Sequence, residues 1–311
     1  MPEPLSSLLD STEPTLRTTG WGRTEGPLWH AAGSVTCVDG ASSRLLRWET
    51  SGQGRVVRER TGEGNGCTLD RQGRLIMCEE ADHRRITRMD AEGTVTTIVA
   101  HWRGKRFNTP NDVVCRSDGR LFFTDPARRL APARREIGFS GVYRRDPQGD
   151  VPLATDACAG PNGLAFSPEA SILSVAISRL DQRCCEEAQQ GAVCTHRRTR
   201  ACDVASDGRL STNRLFCAMS SADPGVPDGL TVDTAGRVLC VGSGSLWAIA
   251  PSGEVIGVMR TPEVVRHLAF GGPDCRPLSL TPGSSLSKLE VQTPGIGPRS
   301  SGSIGPGGGR G

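Results

Sequence analysis

The stretch Asp228-Gly-Leu-Thr-Val-Asp233-Thr-Ala-Gly236-Arg-Val-Leu-Cys-Val241 decides the fold. A polar residue opens a short apolar run, a turn follows, and a second apolar run begins. Eight positions separate Asp228 from Gly236, and the same offset recurs five more times. The pairs are Glu25 and Gly33, Asn65 and Gly73, Asn111 and Gly119, Asn162 and Ala170, and His267 and Cys275. Apolar stretches follow each turn, as at Val35-Val38, Leu75-Cys78 and Ile172-Ile177.

A constant internal offset with variable gaps between copies marks a repeat architecture. The gaps between leading residues are 40, 46, 51, 66 and 39, room for about four short strands in each copy. Six copies therefore predict an all-β, six-bladed β-propeller whose innermost strands all start at one end of a central channel. Composition agrees. Among 311 residues, Gly (39) and Pro (21) punctuate apolar runs too short for helices.

The blades are expected at Glu25 to Glu59, Gly62 to Ala100, Phe107 to Leu153, Gly160 to Cys217, Gly225 to Arg260 and Val264 to Val291. Residues 1–20 are expected to supply a strand that completes the last blade and removes a free edge. Residues 1–291 then form a single domain, and the Gly/Pro/Ser-rich residues 292–311 a disordered tail. Trp29 and Trp48 are expected between blades. Pro126 to Phe139 reads as a long Arg-rich loop at the channel mouth.

The net charge of +3 falls well short of a nucleic-acid-binding signature. Basic clusters such as Arg103-Gly-Lys-Arg106 read as solvated loops. No run approaches transmembrane length, and residues 1–20 lack the pattern of a signal peptide. The twelve Cys are scattered without a CxxC pair, and several replace apolar strand residues. A cytoplasmic, reducing setting is therefore expected, with no nucleic-acid or membrane partner. Cys184, Cys185, Cys194 and Cys202, with His196 nearby, form the only dense group. Their spacing fits no standard zinc pattern, and the segment reads as an insertion.

The six leading side chains converge on one axis, and their carboxylates and amides are the donors a hard cation takes. Singly, Asn-Gly and Asp-Gly are ordinary turn formers; the shared register is what a turn role does not require. If Glu25, Asn162 and Asp228 share one divalent cation, positions remain for water and substrate, and Asp228 is placed to act as general base. That combination suits hydrolysis of an ester or lactone.

The motifs Glu25-Gly-Pro-Leu-Trp29, Asn108-Thr-Pro-Asn-Asp-Val-Val114, Phe123-Thr-Asp-Pro126, Pro161-Asn-Gly-Leu-Ala-Phe-Ser-Pro168, Gly225-Val-Pro-Asp-Gly-Leu230 and Leu268-Ala-Phe-Gly-Gly272 occur in order. In this the chain resembles the family of senescence marker protein (regucalcin), gluconolactonase and luciferin-regenerating enzyme, over roughly Gly22 to Leu289. The resemblance implies a six-bladed propeller with a divalent cation in its channel, calcium first, with zinc, magnesium or manganese as alternatives. It implies hydrolysis of a small sugar lactone by a metal-activated water. It places the ligands on Glu25, Asn162 and Asp228, and makes Asp228 the acid/base as well. It also implies that Asn111 faces substrate and that Arg106 contacts the substrate hydroxyls.

Asp125 and Asn65 are further channel candidates, each weighed against a turn or strand-end role. His267 stands where the family often has Asn. It reads first as a buried, hydrogen-bonded residue; the sharper reading makes it a substrate contact or proton carrier. Blade 4 departs from the family at Ala176-Ile177-Ser178. A metal-binding scaffold without turnover, or an esterase or phosphotriesterase using the same site, are the competing readings. A monomer or small homo-oligomer is expected.

Overall fold

Six four-stranded antiparallel sheets account for nearly all of the regular structure. The computed structural model describes residues 4–81, 83–127, 130–178 and 197–297. Five blades are consecutive up-and-down sheets, spanning residues 24–59, 64–99, 113–155, 161–218 and 230–260. The sixth takes its three inner strands from 265–289 and its outermost strand from Thr15–Thr18. Thr15 pairs with Lys288 and Thr18 with Leu286, so the chain ends meet in one blade, as expected. Leu8 and Leu9 are buried beside Leu289 and Val291, which seals the join with apolar surface.

The offset of eight has a direct cause. Gly33, Gly73, Gly119, Ala170, Gly236 and Cys275 all have positive φ, and each donates its N–H to the carbonyl three residues earlier. Each is the left-handed corner of the turn between the first and second strands of its blade, where glycine is unstrained. Ala170 (φ 53°) and Cys275 (φ 54°) adopt the same corner despite a Cβ.

Between blades lie apolar layers. Phe107, Phe123 and Tyr143 are fully buried between blades 2 and 3, with edge-to-face ring contacts at 5.0 to 5.2 Å from Phe107. Cys37, Cys78 and Cys240 are free and fully buried, small hydrophobes as expected. Trp29 packs on Gly271 of blade 6. Trp48 lies over Gly54 of its own blade and borders the same recess between blades 1 and 6.

A two-stranded hairpin, His101–Trp102 with Lys105–Arg106, precedes blade 3. The loop expected at 126–139 is pinned beside it by buried Leu130 and Ile137. One expectation needs correction. Residues 292–297 are not a structureless tail. Thr234 N donates to Pro294 O (2.9 Å), Gly295 N to Cys275 O (2.7 Å) and Ile296 N to Val232 O (3.2 Å). The segment thus ties the lower turns of blades 5 and 6, because its few backbone donors and acceptors find partners that its composition does not advertise. Cys184, Cys185, Cys194 and His196 lie outside the described residues. Cys202 is buried in the third strand of blade 4. Among the described residues no helix is long and apolar enough to cross a membrane.

Candidate active site

The inner strands, with the residues that lead into them at Asn111 and Asp228, carry the six leading residues to one end of the channel. Glu25, Asn65, Asn111, Asn162 and His267 are buried there, and Asp228 is half-buried. Adjacent blades are stitched at this level by backbone. Gly66 N donates to Asn111 O (2.8 Å), Gly163 N to Asp228 O (3.2 Å) and Gly229 N to Arg266 O (2.9 Å). Thr124 Oγ1 donates to Asn162 O (2.8 Å). The glycine after the leading residue permits this approach. A Cβ on Gly26 would collide with the Asn65 carbonyl oxygen, and one on Gly163 with that of Asp228.

Three amides in the ring are oriented by their hydrogen bonds. Asn162 Nδ2 donates to Ser178 Oγ (2.8 Å) and lies 3.5 Å from Pro227 O. Asn65 Nδ2 and Asn111 Nδ2 both donate to Glu80 Oε1, at 2.9 and 2.7 Å. An amide with its nitrogen so held presents its oxygen.

Glu25 differs from these. Its Oε2 is buried without a hydrogen-bond partner among the described residues. Burial, and after it the negative charge of Asp228, pushes its carboxyl up to about 8. A carboxylate in that position is costly unless a cation compensates it.

Glu25 and Asp228 are thus within electrostatic reach of one another, and Asn162 adjoins Asp228 through the Gly163 bridge. Two carboxylates and an amide oxygen are hard donors of the kind calcium takes. Among the described residues no group of three His, Cys, Asp or Glu is arranged to hold a metal. The set therefore depends on an amide as its third member. On donor chemistry and on the unpartnered Glu25 oxygen, these residues fit a divalent cation.

The sixth leading residue, His267, has its Nε2 3.3 Å from Asp112 Oδ2. The contact is ionic rather than an aligned hydrogen bond. Burial alone would lower the imidazole; Asp112 outweighs it, with Glu25 and Asp228 adding, and holds it at about 9. The imidazolium's Nδ1–H has Leu268 O at 3.2 Å as its acceptor.

Two expected residues stand apart from the ring. Asp125 accepts Asn108 N at Oδ2 (2.9 Å) and Thr109 N at Oδ1 (2.8 Å), which is the strand-end role. Burial raises it to about 7 against the pull of those two amides. Arg106 sits in the hairpin. Its N–H donates to Glu136 Oε2 (2.8 Å), and its guanidinium reaches His83 O (3.4 Å).

This propeller has known counterparts. The family described as the SMP-30/Gluconolactonase/LRE-like region matches residues 23–284. The chain belongs to this family. A gluconolactonase of Zymomonas mobilis is 24% identical over 260 residues, 76% of this chain and 68% of that one. A pentonolactonase of Haloferax volcanii is 27% identical over 264 residues, 83% of this chain and 80% of its own. Among solved structures, a gluconolactonase from Xanthomonas campestris superposes with a TM-score of 0.80 at 30% identity, covering 94% of this chain and 93% of that one.

Within this SMP-30/gluconolactonase frame, two residues escaped sequence reasoning. Glu80 follows the second strand of blade 2, outside the repeated motif. Asp112 sits one place after a leading residue, where blades 1, 2, 4 and 5 carry Gly26, Gly66, Gly163 and Gly229. That break in the glycine pattern was the available signal.

Proposed function

We propose that the protein is a divalent-cation-dependent hydrolase of sugar lactones. Glu25, Asn162 and Asp228 hold the cation, and Asp228 acts as acid/base. Family membership and the lactonase relatives support the reaction class. The observation that carries the metal requirement is the buried Glu25 carboxylate whose Oε2 meets no donor among the described residues.

A bound cation would polarise the lactone carbonyl and acidify a water beside it. The chain's own groups do the rest. Asp228 is the one leading carboxylate that keeps partial exposure, so it meets the attacking water and accepts its proton. Ser178 fixes the amide plane of Asn162, which keeps its oxygen on the ligand side. Asn65 and Asn111 offer oxygens to the hydroxyls of the sugar. The inter-blade bridges at Gly66, Gly163 and Gly229 hold these groups in one frame, so little ordering remains for the moment of reaction. The all-oxygen donor set favours calcium, with magnesium, manganese or zinc as substitutes.

The test is a pH-stat assay over a panel of sugar lactones, simple esters and phosphotriesters, with and without chelator. Lactone turnover lost on chelation, restored by a divalent cation and absent in Asp228→Ala supports the proposal. Cation binding without turnover on any lactone would leave a scaffold, and turnover only on the other esters would reassign the substrate.

A further inference from the structure

We infer that Glu80 is a positioning residue that makes one quadrant of the channel a hydrogen-bond acceptor and thereby selects polyhydroxylated lactones. The inference rests on the lactonase reading for its substrate and on geometry for its mechanism. Glu80 is 2% exposed and lies immediately after the second strand of blade 2. Its single oxygen Oε1 receives Nδ2–H from both Asn65 and Asn111, residues of neighbouring blades. A carboxylate only accepts, so the group that faces it must be the amide nitrogen. The two Oδ1 atoms therefore point elsewhere, and neither has a protein donor among the described residues.

Asn65 and Asn111 occupy the same register position as the proposed cation ligands Glu25, Asn162 and Asp228. Blade 4 uses the same device, with Ser178 holding the Asn162 nitrogen. The ring thus shows oxygens from all three amides beside two carboxylates. Substrate hydroxyls are donors, and a ring of acceptors recognises them. A lactone with no hydroxyl gains nothing from it, and leaves buried acceptors unpaired. Glu80 acts on the substrate through the two asparagines.

The experiment compares glucono-δ-lactone with δ-valerolactone, which has the same ring and no hydroxyls, on wild type, Glu80→Leu and Glu80→Gln. In Glu80→Leu the ratio of kcat/KM values should fall about tenfold, the worth of one net hydrogen bond, through KM for the hydroxylated substrate. Glu80→Gln keeps an acceptor oxygen and should restore most of the ratio. Equal losses on both substrates, or no loss, would overturn the inference.

Side-chain amide NMR of the wild-type protein supplies an arm independent of turnover and of variant folding. The NH2 groups of Asn65 and Asn111 should exchange slowly with solvent. Exchange as fast as that of exposed asparagines would refute the hold. A wild type inactive on every lactone would refute the lactonase reading instead, while the NMR arm still decides whether Glu80 orients the amides.

Discussion

Asp112 and His267 come from opposite blades, the third and the sixth, and their side chains meet with Oδ2 3.3 Å from Nε2. Asp112 also accepts Leu164 N from blade 4 (3.1 Å) and abuts Gly66 of blade 2. One carboxylate thus touches three other blades, which places it at the propeller axis. Gly66, at the equivalent position of blade 2, leaves the space it fills: a Cβ there would collide with Asp112 Oδ1.

That pair gives the fold a pH dependence. Burial would lower His267, but Asp112 and then Glu25 and Asp228 hold its imidazole at about 9, above the ordinary 6.5. Its stabilisation is therefore full below pH 6.5 and is lost as pH rises through 9. By linkage the contribution is about 3 kcal/mol. Urea denaturation should show wild type more stable than His267→Asn at pH 6, with the gap closing by pH 9. A gap independent of pH would contradict the pairing.

Cation binding should depend on pH through Glu25. Burial and Asp228 push its carboxyl up to about 8, so a ligand must displace a proton at neutral pH. Apparent calcium affinity should fall roughly tenfold for each pH unit below 8, one proton per ion. Calorimetric titrations at pH 6, 7 and 8 measure this directly. Affinity that stays flat over that range would exclude Glu25 as a ligand.

Ring closure depends on the N-terminal segment. Deleting residues 1–19 removes the Thr15–Thr18 strand and uncovers the surface on which Leu8 and Leu9 pack. Burial of two leucines is worth about 4 kcal/mol, on the order of 10 °C in Tm. The truncated chain should also associate through the bared edge of Leu286–Leu289. Scanning calorimetry with light scattering tests both effects. An unchanged Tm would show that the ring closes without this strand.

Gly163→Ala should part blades 4 and 5. The added Cβ would strike the Asp228 carbonyl oxygen and sit 2.8 Å from Gly229 Cα. Overpacking of this kind costs about 1–3 kcal/mol. Because Asn162 and Asp228 flank the contact, calcium affinity should fall with stability. Gly138→Ala, at an exposed glycine with nothing within 4 Å of its Cβ, is the matched control and should change neither.

The repeat was legible because one physical demand, a left-handed corner eight residues after the channel position, acts six times on the chain. Ala170 and Cys275 show why counting glycines alone would have missed two blades. The leading residues followed from the same register. Glu80 did not, since nothing in Cys78-Glu79-Glu80 says which acid faces the channel. Strand alternation settles it: Glu79 turns to Arg58, Arg85 and His83, and Glu80 to the two asparagines. Asp125 resembled a channel acid because a carboxylate at a strand end looks the same in sequence whether amides or a ligand meet it. Residues 292–297 looked structureless because backbone pairing there needs no apolar side chains beyond Ile296.

The most direct measurement is a calcium titration of purified protein by calorimetry, repeated on Glu25→Gln, Asn162→Ala and Asp228→Asn. One ion per chain is expected in wild type, with affinity reduced at least about a hundredfold in each variant, as for loss of a ligand or its direct support. Wild-type protein that binds no divalent cation, or variants that bind as tightly as wild type, would contradict a shared ion at these three residues.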